Sequence, residues 1–124
     1  MKILVLNGPN MNLLGLREPE IYGRETYEDL VSLAEQTCRE AGLECICVQS
    51  NHEGVLIDEI QKARDGCGGI VINPAGYSHT SIAIADALRA VDLPAVEVHI
   101  SDPEKREPYR HISYTGMACR KVIK

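Results

Sequence analysis

The sequence predicts a doubly wound α/β fold, a parallel sheet with helices on both faces. Three observations carry that reading. Short apolar runs alternate with segments of helical period, the joints between them are rich in Gly, Pro, Asn and Ser, and polar side chains gather where three of the apolar runs end.

Each element has its own signature. Lys2 to Leu6 is stopped by Asn7-Gly8-Pro9, which suits a short buried strand better than a helix. Thr26-x-x-Asp29 has the form of a capping box, and Leu30, Leu33, Ala34, Thr37, Cys38 and Ala41 recur at helical spacing until Gly42. Leu43 to Gln49 makes a second strand. Ser50-Asn51 supply cap chemistry for a helix defined by Val55, Leu56, Ile60 and Ala63 and stopping near Gly66. Gly69 to Asn73 is a third strand, a helix follows from about Thr80 to Val91, and Ala95 to Ile100 is a fourth strand. Val122-Ile123 has the form of only the beginning of a fifth. Strands separated by single helices are expected to run parallel, in the order 2-1-3-4 with a truncated fifth strand. That order puts a topological switch between strands one and three, where ligands collect at the carboxyl ends.

A chain of 124 residues bounds one domain, 1–124, and with no Trp and no Phe its core must be aliphatic. No apolar run approaches the ~18 residues that cross a bilayer, and the start turns polar too soon for a signal peptide, so no membrane contact and a cytoplasmic setting are expected. The formal charge of −5 argues against nucleic acid and anionic membranes as partners, while leaving room for a local anion site. Cys38, Cys45, Cys47, Cys67 and Cys119 are odd in number and lack a C-x-x-C pair, so buried free thiols are expected. Cys45 and Cys47 share one strand face, but His52, His79, His99 and His111 show no ligand spacing, and no metal is expected.

The strand ends carry the chemistry. Asn7 to Asn12, Asn73 to His79 and Glu97 to Ser101 are almost all polar. Glu97 and His99 lie two apart on a strand and so point to one face, where the carboxylate could hold the imidazole; a satisfied core histidine would account for the same spacing. His79 sits in a Gly/Ser/Thr loop entering a helix, a setting that suits anionic or hydroxylated ligands. Arg17, Arg106 and Arg110 add cation density, although each alone reads more readily as a solvated surface arginine. An ordinary phenol, with a pKa near ~10, is a poor base at neutral pH. Arg17, five positions before Tyr22 in a loop bracketed by Gly15 and Gly23, could stabilise its phenolate and make a general base; a surface tyrosine is the plainer alternative. Neither a G-x-G-x-x-G after the first strand nor a G-x-x-x-x-G-K-[ST] is present, and the lysines lie outside the strand-end cluster. What remains is a base, an acid and polar anchors without a cofactor.

Six motifs in order, from Leu4 to about Tyr114, resemble the type II 3-dehydroquinate dehydratases. They are Leu6-Asn-Gly-Pro-Asn-Met-Asn12-Leu-Leu-Gly15, Arg17-Glu-Pro-x-x-Tyr22-Gly23, Gln49-Ser-Asn-His-Glu-Gly54-x-Leu-Ile-Asp58, Asn73-Pro-x-x-Tyr-Ser-His79-Thr-Ser81, Glu97-Val-His99-x-Ser101 and Arg106-Glu-Pro-Tyr-Arg110-His-x-Ser-Tyr114. The resemblance implies a flavodoxin-like sheet and a cofactor-independent anti dehydration of 3-dehydroquinate to 3-dehydroshikimate through an enolate. Tyr22 would be the proton acceptor, Arg17 its stabiliser, Asn12 the holder of a water at the enolate oxygen, and His99, oriented by Glu97, the proton donor. Asn73, His79 and Arg110 would bind ring hydroxyls, and the backbone at Ile100-Ser101 the substrate carboxylate. Asp86 would reach a neighbouring subunit's site in a dodecamer of trimers.

The chain departs from the family pattern in three places. Ala75-Gly76 stands where Gly-Ala is more usual, Asp102-Pro103-Glu104-Lys105 replaces Asn-x-His-Ala, and the chain ends where the family's last strand continues into a terminal helix, so no complete terminal helix is expected. Two other classes fit the same loops: a non-catalytic flavodoxin-like binding module, and an inactive structural oligomer.

Overall fold

The computed structural model describes residues 1–16 and 18–124, with Pro19 and Tyr22 described by their backbone alone. Five strands, β1 (Lys2–Asn7), β2 (Glu44–Gln49), β3 (Cys67–Asn73), β4 (Ala95–Val98) and β5 (Lys121–Ile123), form one parallel sheet in the order β2-β1-β3-β4-β5. The α-helices among the described residues are α1 (Pro19–Tyr22), α2 (Tyr27–Glu40), α3 (Glu53–Ala63) and α4 (Ile82–Val91). The flavodoxin-like order and the switch between β1 and β3 are as the alternating pattern predicts.

Strand alternation sorts the side chains between the two faces. Leu4, Leu6, Ile70 and Ile72 turn to one face and form the aliphatic core with Leu56 and Ile60 of α3 and Ile84 and Leu88 of α4. On the other face Ile3 and Val5 stand in register with Cys45 and Cys47, and α2 packs over β2 there. The core needs no aromatic ring, because two helices are pressed onto the central strands.

Thr26 closes the start of α2 with the capping box its spacing predicts, its hydroxyl accepting from the Asp29 amide at 3.2 Å while Asp29 accepts from the Thr26 amide at 2.9 Å. Leu33, counted on the apolar stripe, is 65% exposed. The inward stripe is Leu30, Ala34 and Cys38, spaced by four, and Leu33 falls beside it. The cap of α3 also differs from expectation. His52 is the N-cap residue and makes no side-chain cap bond, because Ser50 accepts from the His52 amide at 3.0 Å and Asn51 is committed to a neighbouring loop. Helix α1 lies in the stretch read as a loop; Pro19 suits a first helical position, and the piece is one turn long. The fourth strand stops at Val98 rather than Ile100. Its partners run out, since β3 pairs only as far as Glu97 and β5 only as far as Val98.

The switch is tightly closed. The Gly8 amide donates to Asn73 O at 2.8 Å, and a Cβ on Gly8 would stand 2.5 Å from the Pro74 carbonyl oxygen, so only glycine lets the two loops meet. The reversed Ala75-Gly76 pair has a physical consequence, because Ala75 takes φ 53° and a Cβ at Gly76 would touch nothing within 4 Å. The left-handed position is thus held by the residue with a Cβ. Ala75→Gly is expected to stabilise the fold by about 0.5–1 kcal/mol, the relief of left-handed strain less the extra entropy of the unfolded glycine chain. A thermal melt reads this as a raised Tm; an unchanged or lowered Tm would count against strain at this position.

Candidate active site

The β2–α3 joint positions the asparagine loop that follows β1. Gln49 Nε2 donates to Gly8 O at 3.1 Å and to Asn51 Oδ1 at 3.2 Å, and lies 3.4 Å from Asn12 Oδ1. Asn51 Oδ1 also accepts from the Asn10 amide at 3.0 Å, and the Tyr77 hydroxyl donates to Asn51 O at 3.0 Å. Asn10 takes φ 68°, a conformation that asparagine tolerates better than most residues. On the neighbouring strand, Asn73 is 8% exposed and turns the chain by accepting from the Ala75 amide at 3.1 Å. His79 closes a 3₁₀ segment, Ala75–His79, and its Nδ1 donates to Ile112 O at 2.9 Å, because a carbonyl can only accept.

At the end of β4, Glu97 Oε2 stands 2.6 Å from His99 Nε2. Glu97 is wholly buried, and its carboxylate also accepts from the Ser113 hydroxyl at 2.5 Å and from the Thr115 hydroxyl. Burial alone would raise its pKa. The hydrogen bonds from His99, Ser113 and Thr115, with the charge of His99, outweigh burial and hold it below the usual carboxylate value. An ionised carboxylate is acceptor-only, so Nε2 carries a proton and Nδ1 is the ring nitrogen left for chemistry. The His99 amide donates to Ile123 O at 2.8 Å, which makes short β5 part of the support.

These loops enclose a cavity of about 150 Å³. Asn73, His79, His99, Ile100, Ser101 and Arg110, all predicted from the sequence, line it. Glu97 lies behind His99 rather than in the wall. Asn12 is exposed, next to Gln49 and outside the lining. Asp86 sits on α4 with its side chain 70% exposed, 3.7 Å from Arg89, and does not line the cavity of its own chain. Arg17 lies outside the described residues, and Tyr22 closes α1 by its backbone, its side chain also outside the description. Asn10, Arg106 and the buried Pro103 also line the wall, so the Asp102–Lys105 departure forms a 3₁₀ turn that delivers Arg106 to the site.

Sequence reasoning assigned no role to Met11, Pro103, Ser113 or Thr115. Ser113 lies inside a quoted motif, but nothing local to it points to Glu97, 16 positions away.

The described lining contains two arginines and no aspartate, glutamate or lysine. It can therefore take a small anion, hydroxyl groups and one proton exchanged at His99. The five cysteines are free and half-buried away from it; burial, and after it the hydrogen bond and charge of Cys47, whose Sγ is 3.4 Å away, push the Cys45 thiol up to about 11. Among the described residues no group of three or more His, Cys, Asp or Glu is arranged to hold a metal. No described helix is long and apolar enough to cross a membrane.

Fold and site together define a flavodoxin-like α/β protein with a cavity lined by arginine and histidine at its topological switch point. The family model for dehydroquinase class II matches residues 1–124, and the chain belongs to that family. It is 56% identical over 122 residues to a 3-dehydroquinate dehydratase of Corynebacterium glutamicum, covering 98% of this chain and 84% of the relative. The crystal structure of a type II dehydroquinase from Butyrivibrio crossotus superposes with a TM-score of 0.97 at 52% identity, covering 99% of this chain and 87% of that one. A second, from Propionibacterium acnes, gives 0.94 at 44% identity, with 98% and 84% covered.

Proposed function

We propose that this chain dehydrates 3-dehydroquinate to 3-dehydroshikimate, a step of the shikimate pathway. The observation that carries the proposal is the Glu97–His99 pair at 2.6 Å beside a cavity lined by Arg106 and Arg110 and by no described carboxylate. It supplies a proton donor and a receptor for an anion in one place, and the family and the 3-dehydroquinate dehydratase relatives support the choice of substrate.

In this reading Tyr22, as phenolate beside Arg17, takes a proton from the carbon next to the ketone. The electron pair passes to the ketone oxygen as an enolate, steadied by a water held at Asn12. Collapse of the enolate forms the carbon–carbon double bond and expels the hydroxyl, which leaves as water with the Nδ1 proton of a His99 imidazolium, and the proton taken by Tyr22 returns through solvent to recharge the ring for the next turnover. Nε2–H stays on Glu97 throughout. Asn73, His79 and Arg110 hold ring hydroxyls, and the Ile100-Ser101 backbone receives the substrate carboxylate. No step calls for a cofactor or a lysine imine.

The assay is the ultraviolet absorbance of the conjugated enone on addition of 3-dehydroquinate. Turnover that survives chelator, and borohydride in the presence of substrate, is expected; covalent trapping by borohydride would sink the mechanism. The exposure of Asp86 supports a role outside its own subunit's cavity, in trimers that assemble to a dodecamer. Sedimentation velocity on the purified chain tests this, a monomer being the contrary result. A cytoplasmic setting fits a soluble biosynthetic step, and fractionation of cells checks it.

A further inference from the structure

We propose that Ser113 and Thr115 are positioning residues for His99, acting through Glu97: their hydroxyls fix the carboxylate so that it fixes the imidazole. The inference rests on the acid role given to His99 above, and concerns what keeps that histidine in one tautomer and one orientation.

Glu97 is 0% exposed, so no bulk water can fill its lone pairs. Its acceptors are divided between the imidazole and the two hydroxyls: Oε2 takes His99 Nε2 at 2.6 Å and Ser113 Oγ at 2.5 Å, and Oε1 takes Thr115 Oγ1. The hydroxyls are themselves oriented. The Gly116 amide donates to Ser113 Oγ at 2.9 Å, which occupies that oxygen as an acceptor and turns its proton to Glu97. The space beside them is full, because a Cβ on Gly116 would stand 2.8 Å from Val122 Cγ2, 3.0 Å from Ser113 Oγ and 3.1 Å from Glu97 Oε2. A water could not easily replace a lost hydroxyl there. The segment is tied to the cavity wall on its other side, the Tyr114 amide donating to Ser78 O at 2.7 Å and Ile112 O accepting from His79. One stretch of chain, Ile112 to Gly116, thus sets both histidines of the site.

The titratable groups that face Glu97 are His99 and Cys119. Burial, and after it the charge of Glu97, pushes the Cys119 thiol up to about 12, so it is neutral and leaves the carboxylate as the one anion of the cluster. Hydroxyl donors favour the ionised form of Glu97, and losing one therefore raises its pKa. The sign for stability follows: the contribution of Glu97 is present above its ordinary pKa and is lost as pH falls through the lower folded value.

The test uses Ser113→Ala, Thr115→Val and the double variant, with Thr115→Ser as the conservative control. The double variant is expected to lower kcat by about 10–100-fold with little change in KM, by analogy with the loss of the outer partners that orient metal-bound histidines. Nitrogen NMR of the neutral His99 ring, recorded above the pH at which the imidazolium loses its Nδ1 proton, should show one tautomer, protonated at Nε2, in the parent and a mixture in the double variant. Carboxyl-carbon NMR should show Glu97 titrating at higher pH. Thr115→Ser should restore all three readouts towards the parent. A folded double variant with the parental tautomer and the parental Glu97 titration would overturn the proposal, and so would loss of activity that Thr115→Ser shares. The NMR readouts need no turnover, so a chain inactive on 3-dehydroquinate would defeat the functional reading while leaving this one still to be judged. If the double variant fails to fold, the single variants carry the same comparison.

Discussion

His99→Ala is expected to lower kcat by about 10²–10⁴-fold while changing KM far less, because a general acid acts on the transition state and not on the bound ground state. The geometry makes the expectation specific. The ring is held from behind by Glu97 at 2.6 Å, its side chain is 8% exposed, and its backbone is pinned to β5. An alanine there removes the donor and leaves Glu97, wholly buried, with two hydroxyl partners instead of three. Some loss of stability is therefore expected alongside the kinetic effect, since a buried charge stripped of one partner is costly. Steady-state kinetics beside a thermal melt separate the two. A folded His99→Ala protein with unchanged kcat would remove His99 from the acid role.

Tyr22→Phe is expected to cost at least as much, and the contrast with Arg17→Ala identifies the base. A phenol of ordinary pKa, near ~10, is almost wholly protonated at neutral pH, and a neighbouring guanidinium favours its phenolate. Losing Arg17 should move the limb of the kcat/KM profile that reports ionisation of Tyr22 to higher pH, with part of the lost rate returning in alkaline buffer. Tyr22→Phe has no proton to lose and should show no rescue at any pH. An active Tyr22→Phe, with the parental pH profile retained in Arg17→Ala, would mean that the loop only covers the site and that the base is elsewhere.

Much of the fold is legible in local chemistry. The strand and helix periods, the Thr26/Asp29 box and the Asn-Gly-Pro stop after β1 are each decided by residues within a few positions of one another. Glu97 and His99 could be paired on the page because a strand repeats every two residues, and Asn73, His79, Ile100, Ser101 and Arg110 because a resemblance carried them. Ser50-Asn51 misled as a cap because the Asn51 side chain serves a loop 41 residues earlier, a competition that no local rule sees, while the Ser50 hydroxyl accepts from the His52 amide. The end of β4 was misjudged for a similar reason, since a strand stops where its neighbours stop.

By itself, then, the sequence determined the class of fold, the order of the elements and the pairing of Glu97 with His99 at the end of β4, all of which follow from short-range periodicity and the handed geometry of parallel crossovers. Tertiary structure alone decided what makes that pair workable. It closed Gly8 onto Pro74, brought Arg106 into the wall beside Arg110, and set the hydroxyls of Ser113 and Thr115 on a carboxylate shut off from water. Those contacts join residues far apart in the chain, and their worth comes from burial, which strengthens each hydrogen bond to Glu97 and makes an unfilled one costly. Burial belongs to the packed molecule and is written in no single stretch of its chain.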